Sequence, residues 1–327
     1  MITTMYAWLI SVMLSVGLLM LWKKIGIRDL PNQRSAHVMV TPTAAGICVS
    51  FIFIMFSFFS KIGVVSLDGL PLPSIFGFII LTLVGFMDDW KELNYKARLL
   101  SHTLAVGLVL AQQTLSFPEY FLWLLIGVGL INACNFLDGL NGLLASQWLL
   151  TMGFLLSAFA PCNSVFWVLW GAILVYLFFN FPKAHIFIGD TGSTILGFAY
   201  FFIIFSLAPS QYGFPTIIFP HDTFVAFCFF PLGVAWCDVA FTLVKRFIDK
   251  RSIIASFGDY GFHHQAKFFN SHAIVTLTYL SINCLLTLLA TLLFFDRGYI
   301  SFVCCLYAVI QLLHWKIIHW LNKKYIA

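Results

Sequence analysis

What most constrains this chain is the recurrence of apolar runs long enough to cross a bilayer. Eleven stretches, roughly 5–22, 44–60, 73–87, 99–115, 119–134, 142–159, 164–181, 193–208, 223–244, 272–295 and 299–319, are dominated by aliphatic and aromatic residues. A helix spans hydrocarbon with about 20 such residues, whereas barrel strands would read as short segments of alternating hydropathy, a pattern absent from this sequence. Composition closes off the soluble alternative. With 61% hydrophobic residues, 9% charged and a mean hydropathy of +0.95, the chain lies far above the about 45–50% apolar usage of soluble domains. The expected fold class is therefore all-α, a polytopic integral membrane bundle of about 11 transmembrane helices built from residues 1–327 as a single domain.

Charge placement orients the bundle. Loops after odd-numbered spans, together with the end of span eleven and the C-terminal tail, hold sixteen Lys and Arg, from Lys23 and Lys24 to Lys323 and Lys324, whereas the other side holds Lys61 and Arg297. Positive charge collects on cytoplasmic loops, so the N-terminus is expected outside and the C-terminus in the cytoplasm. The first span is followed, not preceded, by basic residues, the reverse of a cleavable signal peptide. The eight Cys form no C-x-x-C pair and read as small buried hydrophobes. Chemistry must then sit in loops and at helix ends.

Five segments on the cytoplasmic side concentrate polar residues. The first, D-L-P-N-Q-R-S-A-H from Asp29, offers Arg34 and His37 as phosphate-binding groups, Arg by its planar fork of donors. The third span ends in G-F-M-D-D-W-K, where Asp88 and Asp89 repel each other at a helix end whose dipole already disfavours negative charge. Either Lys91 and Arg98 balance them locally or a divalent cation does; Mg²⁺ is typically held by one or two carboxylates with substrate phosphates. Next comes N-A-C-N-F-L-D-G-L-N-G, Asn132 to Gly142. Asn132 and Asn135, three apart, share a helical face and either recognise ligand polar groups or cross-link helices; Asp138 adds a further carboxylate. After span seven, F-N-F-P-K-A-H-I-F-I-G-D-T-G-S contains Asn180, Phe187 and Asp190. It places a loop carrying Asp190 before a helix start, a natural anion site, with Thr191 and Ser193 reading equally well as caps. The long polar segment from Lys245 to Ser271 carries D-Y-G-F-H-H-Q, in which His263 and His264 suit phosphate binding or proton transfer. Asp238, just inside the preceding span, needs a partner such as Arg246 or a neighbouring helix.

Taken in order, D-L-P-N-x-R-x-x-H, D-D, N-x-x-N-F-x-D-G-x-x-G-L and N-x-P-x-x-x-I-F-x-G-D-x-G-S resemble the polyprenyl-phosphate N-acetylhexosamine-1-phosphate transferases. The first loop looks most like the branch that initiates O-antigen synthesis. The resemblance implies transfer of a sugar 1-phosphate from a UDP-N-acetylhexosamine to undecaprenyl phosphate in the bacterial inner membrane, with the active site cytoplasmic, UMP released and Mg²⁺ (Mn²⁺ as substitute) as cofactor. It implies Asp88, Asp89, Asp138 and Asp190 as catalytic residues, with Asp190 and Asp89 on the metal. Arg34, His37, Asn132, Asn135, Asn180, Phe187, His263 and His264 would bind substrates. Implied partners are the two substrates and the lipid bilayer, with no nucleic acid and a homodimer left open. Two departures stand out: Asn141 replaces an Asp common in relatives, and G-F-H-H-Q replaces an H-x-H-H-like run. A transporter is the rival class, but such sites lie near the bilayer midplane between repeated halves, whereas these carboxylates gather at one face.

Overall fold

The computed structural model describes residues 2–30, 40–158, 164–207, 233–251 and 260–294. Among them lie eleven helices: α1 (Ile2–Ile25), α2 (Gly46–Lys61), α3 (Leu72–Trp90), α4 (Tyr95–Leu110), α5 (Phe117–Leu137), α6 (Leu143–Ala158), α7 (Phe166–Asn180), α8 (Gly189–Leu207), α9 (Gly233–Ile248), α10 (Gly261–Phe269) and α11 (His272–Phe294). The fold is that of a polytopic helical membrane protein. Spans one to eight and ten each coincide with one of these helices. Span nine coincides with α9 from Gly233 onward, while its first part and the whole of span eleven lie outside the described residues. Helix α10, of nine residues, is too short to cross a bilayer. It is a structured element inside the polar segment that the sequence pattern leaves as loop.

Helix α8 is the axis of the bundle. Buried residues make up 89% of its most apolar window against 22% for α1, and its main partners are α3 and α5. Close approach is possible because small residues stand at the crossings: a Cβ on Gly85 would lie 2.6 Å from the Thr191 Cα, and one on Gly197 2.5 Å from the Ile131 Cα. Association in lipid depends on such packing, since the surroundings are as apolar as the interface. The perimeter accordingly carries exposed apolar side chains, among them Met13, Phe51, Phe117 and Phe178. Several buried hydroxyls are satisfied within their own turn. Ser15, Ser50, Ser57 and Thr82 each donate to the carbonyl four residues earlier, at 2.7 to 2.8 Å, which avoids unpaired polar groups in hydrocarbon.

Irregular backbone is confined to the ends. Strands β1 (Arg28–Asp29) and β2 (Thr41–Pro42) pair antiparallel, and the chain after β2 joins the segment before α8: the Phe187 N–H donates to Pro42 O at 2.7 Å, and the Ala45 and Gly46 N–H groups to Phe187 O and Ile188 O. At the opposite end, Glu119, isolated in the sequence, accepts the Ser116 N–H at 2.9 Å and serves as a cap for α5.

Candidate active site

Helix α3 reaches Trp90, so Asp88 and Asp89 occupy its last turn. The two neighbours point to different partners. Asp88 is buried, and its Oδ1 accepts the Leu93 N–H at 2.6 Å while Oδ2 accepts from Arg98 Nη1 at 3.1 Å. Arg98, in the first turn of α4, is thus the local counter-ion; Lys91 makes no such bond. The same Nη1 stands 3.8 Å from Asp190 Oδ2, so one guanidinium bridges two carboxylates from different helices.

Asp89 turns the other way. Its Oδ1 accepts the Asp190 N–H at 2.8 Å, and its Oδ2 accepts the Thr191 N–H at 3.0 Å and the Thr191 hydroxyl at 2.5 Å. The first amides of a helix have no partner within it. Asp89 therefore caps α8 from another helix, exchanging the unfavourable negative end of its own dipole for the positive end of α8. Gly189 makes the approach possible. A Cβ there would fall 2.5 Å from both Asp89 oxygens, and φ of +72° is one that glycine adopts without strain. Helix α8 begins at Gly189, four residues before the expected span, so Asp190 belongs to the first helical turn and not to a preceding loop.

Asn135 donates through its side-chain amide to Asp190 Oδ1 in a very short contact, joining α5 to the group. Asp138 caps the C-terminus of α5. Its carboxyl is held well above the ordinary range, first by burial and then by the negative charges of Asp190 and Asp89. Four carboxylates from α3, α5 and α8 are thus brought together at one end of the bundle.

The remaining sequence-derived residues divide. Asn132, one turn before Asn135, donates to Val128 O at 2.7 Å and meets His102 Nδ1 at 3.3 Å; it cross-links α5 and α4. Buried Asn180 holds the surrounding turns, accepting the Gly142 N–H at 2.6 Å and donating to Ile186 O at 2.9 Å. Asn141 is similarly engaged, with Pro182 O at 3.3 Å and with the Thr276 hydroxyl on its carbonyl at 2.8 Å. Phe187 is half-buried, next to β2. His263 and His264 lie in the first turn of α10, and His263 packs on the Asp138–Gly142 turn: a Cβ on Gly139 would be 2.4 Å from its Nε2. Arg34 and His37 lie outside the described residues. Asp238 is partnered by the neighbouring α10, where Gly261 and Phe262 donate their N–H groups to it. Nothing in the sequence marks Tyr279, whose hydroxyl joins this contact at 3.2 Å.

Among the described residues no group of three or more His, Cys, Asp or Glu is arranged to hold a metal ion. Mg²⁺ does not need one, since it commonly takes one or two carboxylates and fills its octahedron with water and phosphate oxygen. Asp190 and Asp88, either side of one Arg98 nitrogen, fit that requirement. Asp89 beside Asp190 fits it as well, since both oxygens of Asp88 and of Asp89 are hydrogen-bonded, the former by Leu93 and Arg98 and the latter by α8.

A model described as glycosyl transferase family 4 matches residues 72–208, the segment from α3 through α8 that contains all four aspartates. The chain is similar to a probable undecaprenyl-phosphate N-acetylglucosaminyl 1-phosphate transferase of Bacillus subtilis (strain 168), 28% identical over 281 residues, or 78% of this chain and 74% of the relative. It is also similar to the undecaprenyl-phosphate alpha-N-acetylglucosaminyl 1-phosphate transferases of Thermotoga maritima, 26% identical over 257 residues and 76% of either chain, and of Escherichia coli (strain K12), 29% identical over 217 residues, 56% of this chain and 55% of that one.

Proposed function

We propose that the chain, whose residues 72–208 match a model described as glycosyl transferase family 4, transfers an N-acetylhexosamine 1-phosphate from its UDP-sugar to undecaprenyl phosphate, releasing UMP at the cytoplasmic face of the bacterial inner membrane. The observation that carries the reading is the convergence of Asp88 and Asp190 on a single guanidinium at one end of the bundle, with Asp138 close enough to feel the charges of Asp190 and Asp89. An oxygen of the lipid phosphate attacks the sugar-bearing phosphorus of the donor; that O–P bond forms as the P–O bond to UMP breaks. Phosphoryl transfer asks the protein mainly for positioning and charge neutralisation. Arg98 offers its positive charge to the entering phosphates, and Asp88 positions the acceptor oxygen or takes its proton. Mg²⁺, held by Asp190 with Asp89 or Asp88, would neutralise charge on the diphosphate. Asn135 orients Asp190 through its amide, and Asp89 fixes the backbone from which Asp190 projects. His263, packed against the Asp138–Gly142 turn, would contact the donor's diphosphate. N-acetylglucosamine, the sugar in the relatives' names, is the first donor to test, and the D-L-P-N-Q-R-S-A-H loop favours a product destined for O-antigen or a related envelope glycan.

The test is UMP release by purified protein supplied with undecaprenyl phosphate, Mg²⁺ and a panel of UDP-N-acetylhexosamines. Asp88→Asn and Asp190→Asn are each expected to reduce the rate by about 10²-fold or more, the scale of losing a preorganised electrostatic contact to the transition state, without loss of protein from the membrane. Absence of UMP with every donor would falsify the transferase reading. Near wild-type rates in both variants would sink the residue assignment alone.

A further inference from the structure

Helix α10 carries the histidine pair, yet with nine residues it is shorter than the about 12 needed for marginal stability in isolation. Its own N-cap residue, Tyr260, makes no side-chain cap. The cap comes from α9. Buried Asp238 accepts the Gly261 N–H on Oδ1 at 3.0 Å and the Phe262 N–H on Oδ2 at 2.8 Å. Oδ2 also accepts the Tyr279 hydroxyl of α11 at 3.2 Å, and Gln265 of α10 donates to that hydroxyl at 3.1 Å. The start of α10 is thereby fastened to two long helices. Further along α9, the Arg246 guanidinium lies 5.4 Å from the Tyr260 ring centroid, a cation–π contact on the residue just before the helix. His263 is then wedged between aromatic neighbours, 4.5 Å from Phe262 and 5.9 Å from Tyr260 between ring centroids, with its Nε2 directed onto Gly139.

We propose that Asp238 is a positioning residue of the transfer reaction: by capping α10 from α9 it sets where His263 meets the Asp138–Gly139 turn, and it acts on turnover only through that helix. The proposal rests on the transferase reading for its kinetic consequence but not for its structural one. Unlike a buried acid that merely holds helices together, Asp238 bonds to backbone amides in the same turn as the histidines, so its removal frees that turn before anything else.

A double-mutant cycle and hydrogen exchange test this. Asp238→Ala is expected to lower kcat/KM for the UDP-sugar about 10-fold, the size associated with losing hydrogen bonds to a charged group. In a His263→Ala background the same change is expected to cost less than about 2-fold, because residues acting as one unit are not additive. Equal losses in the two backgrounds overturn the proposal. Without substrate, Asp238→Ala should speed amide exchange over 261–269 and leave 189–207 at the wild-type rate; unchanged exchange over 261–269 overturns it equally. Should the alanine variant fail to accumulate, Asp238→Asn, which keeps one acceptor oxygen, enters the same two measurements. A wild-type protein that releases no UMP removes the transferase reading, and the exchange result still decides what Asp238 does.

Discussion

Helices α8 and α10 both begin with their first amides held by an aspartate from another helix, Asp89 in one case and Asp238 in the other. What differs is the company each carboxylate keeps. Asp89 is half-buried next to Asp88, and the turn it caps carries Asp190; cap and neighbouring carboxylates form one electrostatic group, so a change to any member is felt by the rest. Asp238 is buried and shares its contact with the neutral hydroxyl of Tyr279, and its turn carries histidines. The same local device thus serves two ends. At α8 it adds a carboxylate to a cluster of carboxylates, and at α10 it fixes a short histidine-bearing helix through one carboxylate and a neutral hydroxyl.

Substitutions at the two contacts should separate these roles, beginning with the most severe. Gly189→Ala puts a Cβ 2.5 Å from the Asp89 carboxylate at a left-handed φ, so Asp89 must release α8. The expected outcome is loss of turnover by about 10²-fold or more, as Asp190 leaves its productive position, measured as UMP release for every donor alike. Gly139→Ala instead presses on His263 Nε2, and the loss should be about 10-fold, a misplacement of one contact and not of the reacting centre. It should appear chiefly in KM for the UDP-sugar. If Gly139→Ala depressed kcat as deeply as Gly189→Ala, the division between a reacting region and a recognition region would collapse. Smallest is Tyr279→Phe, which removes one hydroxyl from Asp238 while both amide bonds remain; a loss of about 2- to 5-fold in kcat/KM matches a single net hydrogen bond. An effect larger than that of Gly139→Ala would mean that Tyr279 reaches the reaction by a route other than α10.

The parts legible in the sequence were those written in local pattern. Apolar run length located the helices from α1 through α8 and α11, and the pairing of Asp88 with Arg98 follows from their positions either side of a short turn. The clustering of Asp88, Asp89, Asp138 and Asp190 at one end followed from spans and motif order. What remained hidden depends on contacts between residues far apart in the chain. That Asp89 faces the α8 amides while Asp88 faces Arg98 is decided by the approach of α3 to α8 at Gly85, which no spacing within α3 reveals. Asn132 and Asn135 share a face by periodicity, yet one bonds within the bundle and the other reaches Asp190, because the face lies across the boundary between helix interior and site. Nothing local shows that Asn180, which the resemblance gives as a substrate contact, also binds Gly142 and Ile186 through the two ends of its amide. Helix α10 is too short and too polar to stand out by hydropathy.

The burial of α8 has a mechanical consequence. Bilayers differ in thickness, and a span whose length does not match tilts or distorts at a cost of fractions of a kcal/mol per Å. That load falls on helices in contact with lipid, such as α1 with its exposed Met13 and Met20. Helix α8 is surrounded by protein along nearly its whole length and is gripped through glycine crossings by α3 and α5. A change in membrane thickness therefore reaches Asp190 only after passing through the helices around it, and a bundle of this design can tune its outer surface to its membrane while its clustered carboxylates keep their spacing.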